Sequence, residues 1–245
     1  MRGNDAYTQS TTNASNGNGV VDERTIFVHG TWSNPKKAFD SSFRDGVRDI
    51  LQDDRQEDFV WSGKNLNSYR EKAARDLLLQ INQPYKYKDG EELNIITHSH
   101  GGNVAKLLSQ AYDYDNSPKL NIFNFGTPNR EDYVMSPKVE KFYNIYNEHD
   151  WFVQGLLGRV DVQFNQEEGK YEIEKGSKIK KTLTQEAIEP NAINVAVKRD
   201  STIKIFVPSL LLMNYILFKG GYDNHSNFKD IQTLEVLKNY MENNK

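Results

Sequence analysis

The chain contains no cysteine among its 245 residues. Disulfide bonds, thiolate nucleophiles and cysteine metal sites are therefore excluded, so covalent catalysis would need another nucleophile. Long apolar runs are also lacking. The most apolar segment, residues 203–218, is interrupted by Lys204, Pro208 and Asn214, which makes it too short and too broken for a membrane span. No apolar segment of the signal-peptide type lies near residue 1, so we expect a chain that is cytoplasmic when made.

An excess of charge of one sign is lacking too, since 31 basic and 34 acidic residues give a net charge of -3. This balance gives no reason to expect nucleic acid as a partner. The basic cluster at 178–181 is typical of a solvated face. The acidic pairs at 53–54 and 167–168 lack the spacing of a calcium loop. We therefore expect neither a metal nor a cofactor.

Composition is that of a globular domain preceded by a polar segment. Hydrophobic residues make up 37% of the chain and charged residues 27%, which is polar but outside the disordered range. Residues 1–22 are rich in Asn, Ser, Thr and Gly and have few large apolar side chains. We expect a flexible leader or linker there, because such a segment buries too little surface to offset the entropy of ordering. Residues 23–245 then form one domain.

Strand and helix patterns alternate over the first two thirds of the chain. Strands are predicted at 25–28, 59–61, 93–96, 119–125 and 142–146, and helices at 39–51, 66–81 and 103–112. This alternation predicts an α/β fold, mainly a parallel sheet with helices on both faces.

The pattern changes after residue 150, and we expect a lid or insertion within 151–220. Residues 160–164 and 171–174 alternate apolar and polar side chains around a glycine-containing loop, which predicts a β-hairpin. A strand returning at 194–197 and a last helix at 228–241 complete the predicted elements. Residues 207–218 are apolar on nearly all sides, as in a core helix or a lid over an apolar pocket.

The most informative motif is Thr-His-Ser-His-Gly-Gly at residues 97–102. It follows a predicted buried strand and precedes a predicted helix. A serine on a sharp strand-to-helix turn, with glycine two residues later, has its hydroxyl clear of the backbone. The N–H groups at the helix start point toward negative charge that forms beside this hydroxyl. The geometry suits acyl transfer, with Ser99 as the nucleophile.

Further motifs surround this one in chain order. They are Phe-Val-His-Gly-Thr at 27–31, Asn-Phe-Gly-Thr-Pro at 124–128, Tyr-Asn-Glu-His-Asp at 146–150, and His225. Together with the serine motif they resemble the lipase and esterase branch of the α/β-hydrolase superfamily. The resemblance covers most of residues 24–242, although only these short stretches are specific. One departure is Thr97, which stands where the family usually has the first glycine of the serine turn.

A serine nucleophile needs a base within hydrogen-bond reach and a carboxylate that orients the base. In α/β-hydrolases these follow the serine in the order acid, then histidine. Of the five histidines, His225 precedes the last predicted helix and is our choice as base. Asp150, at the end of a predicted strand, is our choice as acid, with Glu148 second and Asp132 third.

The oxyanion of the intermediate needs two preorganised N–H donors. We predict that the backbone N–H of His100, directly after the nucleophile, is one. The loop after the first strand supplies the other, because Gly30 lets the backbone approach the substrate closely. We assign this second donor to the Thr31 N–H, with Trp32 as the alternative donor or as a wall of the acyl pocket.

The resemblance implies cleavage of carboxylic esters of lipids through an acyl-enzyme. In this interpretation Trp32, Leu211 and Leu212 contact the acyl chain, and the protein makes transient contact with a membrane surface. The alternatives are a small-ester esterase, a thioesterase or peptidase, and a non-catalytic binding protein with the same fold.

The context suggests a further hypothesis. A polar linker before a lipase-like domain resembles the hydrolase tips of bacterial polymorphic toxins and secretion-system effectors. A specialised secretion system would then export the chain, and an immunity protein would be its partner.

Overall fold

The computed structural model describes residues 23–83, 90–147, 150, 161–165, 170–173, 186–197 and 231–243. Six strands of this part are β1 (Arg24–Val28), β2 (Gln56–Phe59), β3 (Glu92–His98), β4 (Lys119–Phe125), β5 (Lys141–Tyr146) and β8 (Ala192–Ala196), while β6 (Val162–Asn165) and β7 (Lys170–Ile173) form a separate hairpin. The six form one fully parallel sheet in the order β2-β1-β3-β4-β5-β8. The predicted α/β class and parallel sheet are confirmed.

Helices connect the strands and cover both faces of the sheet. They are α1 (Pro35–Ala38), α2 (Ser41–Leu51), α3 (Asn67–Ile81), α4 (Gly101–Ala111) and α5 (Ile231–Asn243). Because side chains alternate along each strand, the central strands contribute to two cores. One core includes Ile26, Leu77 and Ile95, and the other includes Phe27, Ile96 and Leu234. The strands are apolar on both faces, as expected of a buried parallel sheet.

Two predicted elements differ from the structure. The helix expected at 39–51 is α2, which begins two residues later, at Ser41, because Asp40 caps it, and a separate short helix, α1, capped by Asn34, precedes it. The Asp40 carboxylate accepts the Phe43 N–H at 2.8 Å, so an extended Phe39 separates the helices. The second strand ends at Phe59 rather than continuing to Trp61, which lies in the following loop.

The hairpin predicted near 160–174 is present as β6 (Val162–Asn165) and β7 (Lys170–Ile173), which pair antiparallel. The expected return strand is β8, and the last helix is α5. The leader at 1–22 and the apolar segment at 203–218 lie outside the described residues.

Candidate active site

Ser99 lies directly between β3 and α4, at the position that the motif predicts for a nucleophile. Its backbone is left-handed, with φ of 55°, a conformation that costs a non-glycine residue free energy. The turn is held by a hydrogen bond from the Ser99 N–H to the Phe125 carbonyl at 2.9 Å. Ser99 is only 7% exposed and lies at the carboxyl edge of the sheet, directly after β3.

Glycines let α4 begin against the ends of the neighbouring strands. A Cβ on Gly101 would lie 2.4 Å from the Val28 carbonyl oxygen, and one on Gly102 would lie 2.0 Å from the Thr127 hydroxyl oxygen. The first turn of α4 therefore packs on the end of β1 and on the Gly-Thr-Pro loop after β4. Both motifs belong to the same site.

Thr97 replaces the usual first glycine without disturbing this turn. It is the penultimate residue of β3 and pairs in register with Asn124 of β4. Its hydroxyl donates to the Asn124 side-chain oxygen at 2.7 Å. Since residue 97 has strand geometry, a side chain is accommodated there and adds a tie between the two strands.

Residues 29–32, for which the sequence predicts an oxyanion donor and which we call the oxyanion loop, follow β1 and lie against Ser99. A Cβ on Gly30 would lie 2.7 Å from Ser99 Cβ and 3.3 Å from its Oγ, so only glycine permits this approach. The Trp32 N–H donates to the Gly63 carbonyl at 2.8 Å. Because this bond uses the Trp32 N–H, the Thr31 N–H is the better candidate for the predicted second oxyanion donor. The Thr31 hydroxyl is buried and has no hydrogen-bond partner among the described residues.

The topology explains why these two loops meet. The chain moves from β1 to β2 on one side and then crosses to β3 on the other side of β1. The strand order therefore reverses between β1 and β3. In open α/β sheets ligands bind in the crevice at the carboxyl ends of such a switch point.

Three of the five histidines, His29, His98 and His100, lie in the described part. His29 is buried, and its Nδ1 lies 2.8 Å from the Gly30 carbonyl oxygen while its Nε2 accepts the Trp61 N–H at 3.3 Å. Burial lowers the pKa of His29, although its two hydrogen bonds oppose this effect. His100 Nδ1 lies 3.0 Å from the Asn103 amide nitrogen. These contacts give His29 and His100 structural roles. His149 and His225 lie outside the described residues.

Asp150 is fully buried just beyond β5, and its N–H donates to the Asn147 carbonyl at 3.0 Å. β4 separates β5 from β3, so the ends of these strands are about 10 Å apart. That interval leaves room for a side chain between the serine and the carboxylate. Asp132, the third choice as acid, instead receives two hydrogen bonds from the Arg130 guanidinium, at 2.8 and 2.9 Å. Glu148 lies outside the described residues.

A buried charged cluster that sequence reasoning missed lies beside these loops. Arg70 and Arg130 both donate to the Asp161 carboxylate, and Arg70 Nε donates to the Tyr133 hydroxyl at 2.7 Å. Burial raises the pKa of Tyr133 to about 12, although both arginines oppose this shift. The cluster joins α3 to the loop after β4 and to the start of the hairpin. No motif signals it, because its members are far apart in the chain.

Neither of two further features occurs in the described part of the chain. No group of three His, Asp or Glu side chains there is arranged to hold a metal ion. No helix within the described ranges has the length and apolar character needed to cross a bilayer.

The six-stranded parallel sheet and the serine turn between β3 and α4 fit an α/β-hydrolase fold. No family profile and no curated protein matches the sequence. Solved structures resemble parts of it. A metagenomic carboxyl esterase has a TM-score of 0.45 at 10% identity, over 94% of this chain and 78% of the other.

Phospholipase PlaB from Legionella pneumophila matches in two structures. One has a TM-score of 0.37 at 16% identity, over 45% of this chain and 26% of the phospholipase. The other, a complex with thio-NAD, has a TM-score of 0.42 at 11% identity, over 90% of this chain and 62% of the phospholipase. This chain thus matches less than two thirds of the phospholipase's length. Function must therefore be inferred from the geometry of this chain's own site.

Proposed function

We propose that the chain is a serine hydrolase of carboxylic esters that works through an acyl-enzyme. The observation that carries the proposal is the left-handed, buried Ser99 with Gly30 packed directly against it. A left-handed backbone at a buried serine costs folding free energy, and such strained residues cluster at functional sites, so it supports a functional role for Ser99. A nucleophile with an adjacent loop of N–H donors is the arrangement that acyl transfer needs.

In the proposed reaction Ser99 Oγ attacks the ester carbonyl carbon while its proton passes to the His225 imidazole. Asp150 orients the imidazole and stabilises its positive charge. The carbonyl oxygen becomes an oxyanion, which the N–H groups of Thr31 and His100 stabilise. The tetrahedral intermediate collapses, and the alcohol leaves with the proton from His225. Water then cleaves the Ser99 ester by the same steps, releasing the acid and restoring the hydroxyl.

We infer further that the esters are lipids, as the resemblance to lipases implies. Trp32, at the end of the oxyanion loop, is 46% exposed, so its side chain can contact an acyl chain. Leu211 and Leu212 are proposed to contact the same chain. The effector hypothesis, with its export route and immunity protein, stays a prediction.

Labelling with a fluorophosphonate probe tests the nucleophile. Ser99→Ala is expected to abolish labelling and to lower kcat for ester hydrolysis by roughly 10⁴- to 10⁶-fold. Ser109→Ala is the matched control, because Ser109 is also a buried serine but lies within α4, away from the turn. It should keep the label. Labelling that survives in folded Ser99→Ala would refute the proposal.

Chain-length profiling separates the ester classes. We expect kcat/KM for p-nitrophenyl esters to rise from acetate to long acyl chains, and hydrolysis of phospholipid vesicles to be detectable. Leu211→Ser with Leu212→Ser should lower long-chain hydrolysis selectively. If kcat/KM instead peaks at acetate and the double substitution leaves it unchanged, a small-ester esterase is favoured.

A further inference from the structure

We propose that Trp61 is a positioning residue for the proposed reaction: its two N–H donors hold the oxyanion loop against Ser99. The inference rests on the proposed function and extends it to a residue that touches no reacting atom. Trp61 belongs to the loop between β2 and α3, outside the motifs that carry the resemblance.

Three contacts join Trp61 to His29, two hydrogen bonds and one ring stack. Its indole Nε1–H donates to the His29 carbonyl at 2.8 Å, and its backbone N–H donates to His29 Nε2 at 3.3 Å. The two rings are stacked, with centroids 5.7 Å apart and planes at 23°. Both residues are buried. The start of the oxyanion loop is thus attached to Trp61 through its backbone and its side chain.

The loop between β2 and α3 also contacts the other end of the oxyanion loop, at Trp32. The Gly63 carbonyl accepts the Trp32 N–H at 2.8 Å. Gly63 has φ of 63°, and a Cβ there would lie 3.1 Å from the Trp32 nitrogen. Residues 61 and 63 therefore bracket Gly30 and Thr31.

The direction of these contacts matters. In the sheet β1 lies between β2 and β3. Trp61 and Gly63 contact the oxyanion loop from the β2 side, while Ser99 contacts Gly30 from the β3 side. The loop is held between them.

Within the loop, His29 Nδ1 and the Gly30 carbonyl oxygen are 2.8 Å apart. An Nδ1–H donor there leaves Nε2 as the acceptor that Trp61 requires. A neutral His29 thus links the Trp61 contact to Gly30. Oxyanion donors act only when preorganised, and a displacement of about 1 Å can cost 100-fold in rate.

Trp61→Phe tests the proposal, because it keeps an aromatic ring but removes the indole N–H. We expect kcat for a soluble ester to fall about 10-fold or more while KM changes less than twofold. Affinity for a trifluoromethyl ketone, which forms a hemiketal oxyanion on Ser99, should fall by the same factor as kcat/KM, since both report binding of the transition state by the free enzyme.

Tyr112→Phe is the matched control. The buried Tyr112 hydroxyl donates to the Pro118 carbonyl at 2.8 Å, beyond the far end of α4. It should lose comparable stability with unchanged kcat and inhibitor affinity. If Trp61→Phe matches this control in both readouts, Trp61 is merely structural and the inference is overturned, while the Ser99→Ala result leaves the proposed function intact. Full ester hydrolysis by folded Ser99→Ala would contradict both the proposed function and the inference about Trp61.

Should Trp61→Phe fail to fold, His29 carries the same test. His29→Ala removes the Nε2 acceptor, whereas the Gln oxygen of His29→Gln can replace it. We expect His29→Ala to lower kcat about 10-fold and His29→Gln to recover most of that loss. Wild-type kcat in His29→Ala would overturn the inference.

Discussion

At the residue scale, Ser99 combines two costs, a left-handed backbone and burial of a hydroxyl. A sparsely populated conformation of this kind costs on the order of 1 to 3 kcal/mol. The surrounding glycines make the turn possible, because side chains at Gly30 and Gly101 would collide with neighbouring backbone. The surroundings of Ser99 thus favour presentation of its hydroxyl over local stability.

Asp53 is a second residue whose surroundings oppose its usual state. It is buried near the amino end of β1, where the Thr25 hydroxyl donates to its carboxylate. Burial raises the pKa of Asp53 from 3.8 to about 6, although the hydrogen bonds from Thr25 and Arg55 oppose this. The folded state therefore binds more protons than the unfolded state between about pH 4 and pH 6. Ionisation of Asp53 lowers stability as pH rises through that window, by at most about 3 kcal/mol.

Asp53→Asn should remove this pH dependence, because an amide does not ionise in this range, and its oxygen can still accept the Arg55 N–H. We expect the free energy of unfolding of the variant, relative to wild type, to increase by up to about 3 kcal/mol from pH 4 to pH 7.5. Urea unfolding at several pH values measures it. Asp54→Asn, on an exposed neighbour, is the control. An equal pH profile for both variants would contradict the prediction.

At the scale of elements, a buried ion pair attaches α4 to the segment before β8. Lys106 Nζ lies 2.7 Å from the Glu189 carboxylate and donates to the Asn129 side-chain oxygen at 2.9 Å. Burial alone would raise the pKa of Glu189, but the Lys106 ammonium lowers it. Glu189 also accepts the Met135 N–H at 3.2 Å. Helix α4, which begins just after Ser99, is thus attached to two later segments of the chain.

Lys106→Met should destabilise the protein by about 3 to 5 kcal/mol, because it leaves the Glu189 carboxylate buried without its cation. The double variant with Glu189→Met should be less destabilised than the sum of the two single variants. Urea unfolding of all four proteins completes a double-mutant cycle. Additive changes would show that the two charges do not interact.

At the scale of the whole molecule, the sheet separates two cores that share strands but not side chains. Ile95 and Ile96 are adjacent in β3 yet belong to different cores. Ile122 of β4 pairs in register with Ile95 and lies in the same core. Neighbours in the chain are therefore energetically separate, while partners across strands are coupled.

Ile→Val substitutions test this separation, each at a cost of about 0.5 to 1.5 kcal/mol. We expect the effects of Ile95→Val and Ile96→Val on the free energy of unfolding to add. The effects of Ile95→Val and Ile122→Val should depart from additivity by about 0.5 kcal/mol or more. Coupling between Ile95 and Ile96 as large as that between Ile95 and Ile122 would argue against two separate cores.

The sequence by itself determined the elements and the serine turn. In strand β4 and helix α3 the apolar side chains recur at the spacing of a strand or of a helix face. The local sequence pattern is therefore sufficient to predict these elements. The order strand, Ser99, glycine, helix likewise specifies a sharp turn within a few residues. Where the pattern misled, as at Phe39 and Trp61, a capping side chain or a strand end overrode an apolar run.

Only the tertiary structure decided how those elements cooperate. The contact between Trp61 and His29 joins residues 32 positions apart, and the Lys106–Glu189 pair joins residues 83 positions apart. The bond from Trp32 to Gly63, which favours Thr31 as donor, is of the same kind. Hydrophobic periodicity acts along one stretch of chain, whereas these bonds depend on which strands become neighbours. The order of the strands in the sheet sets that.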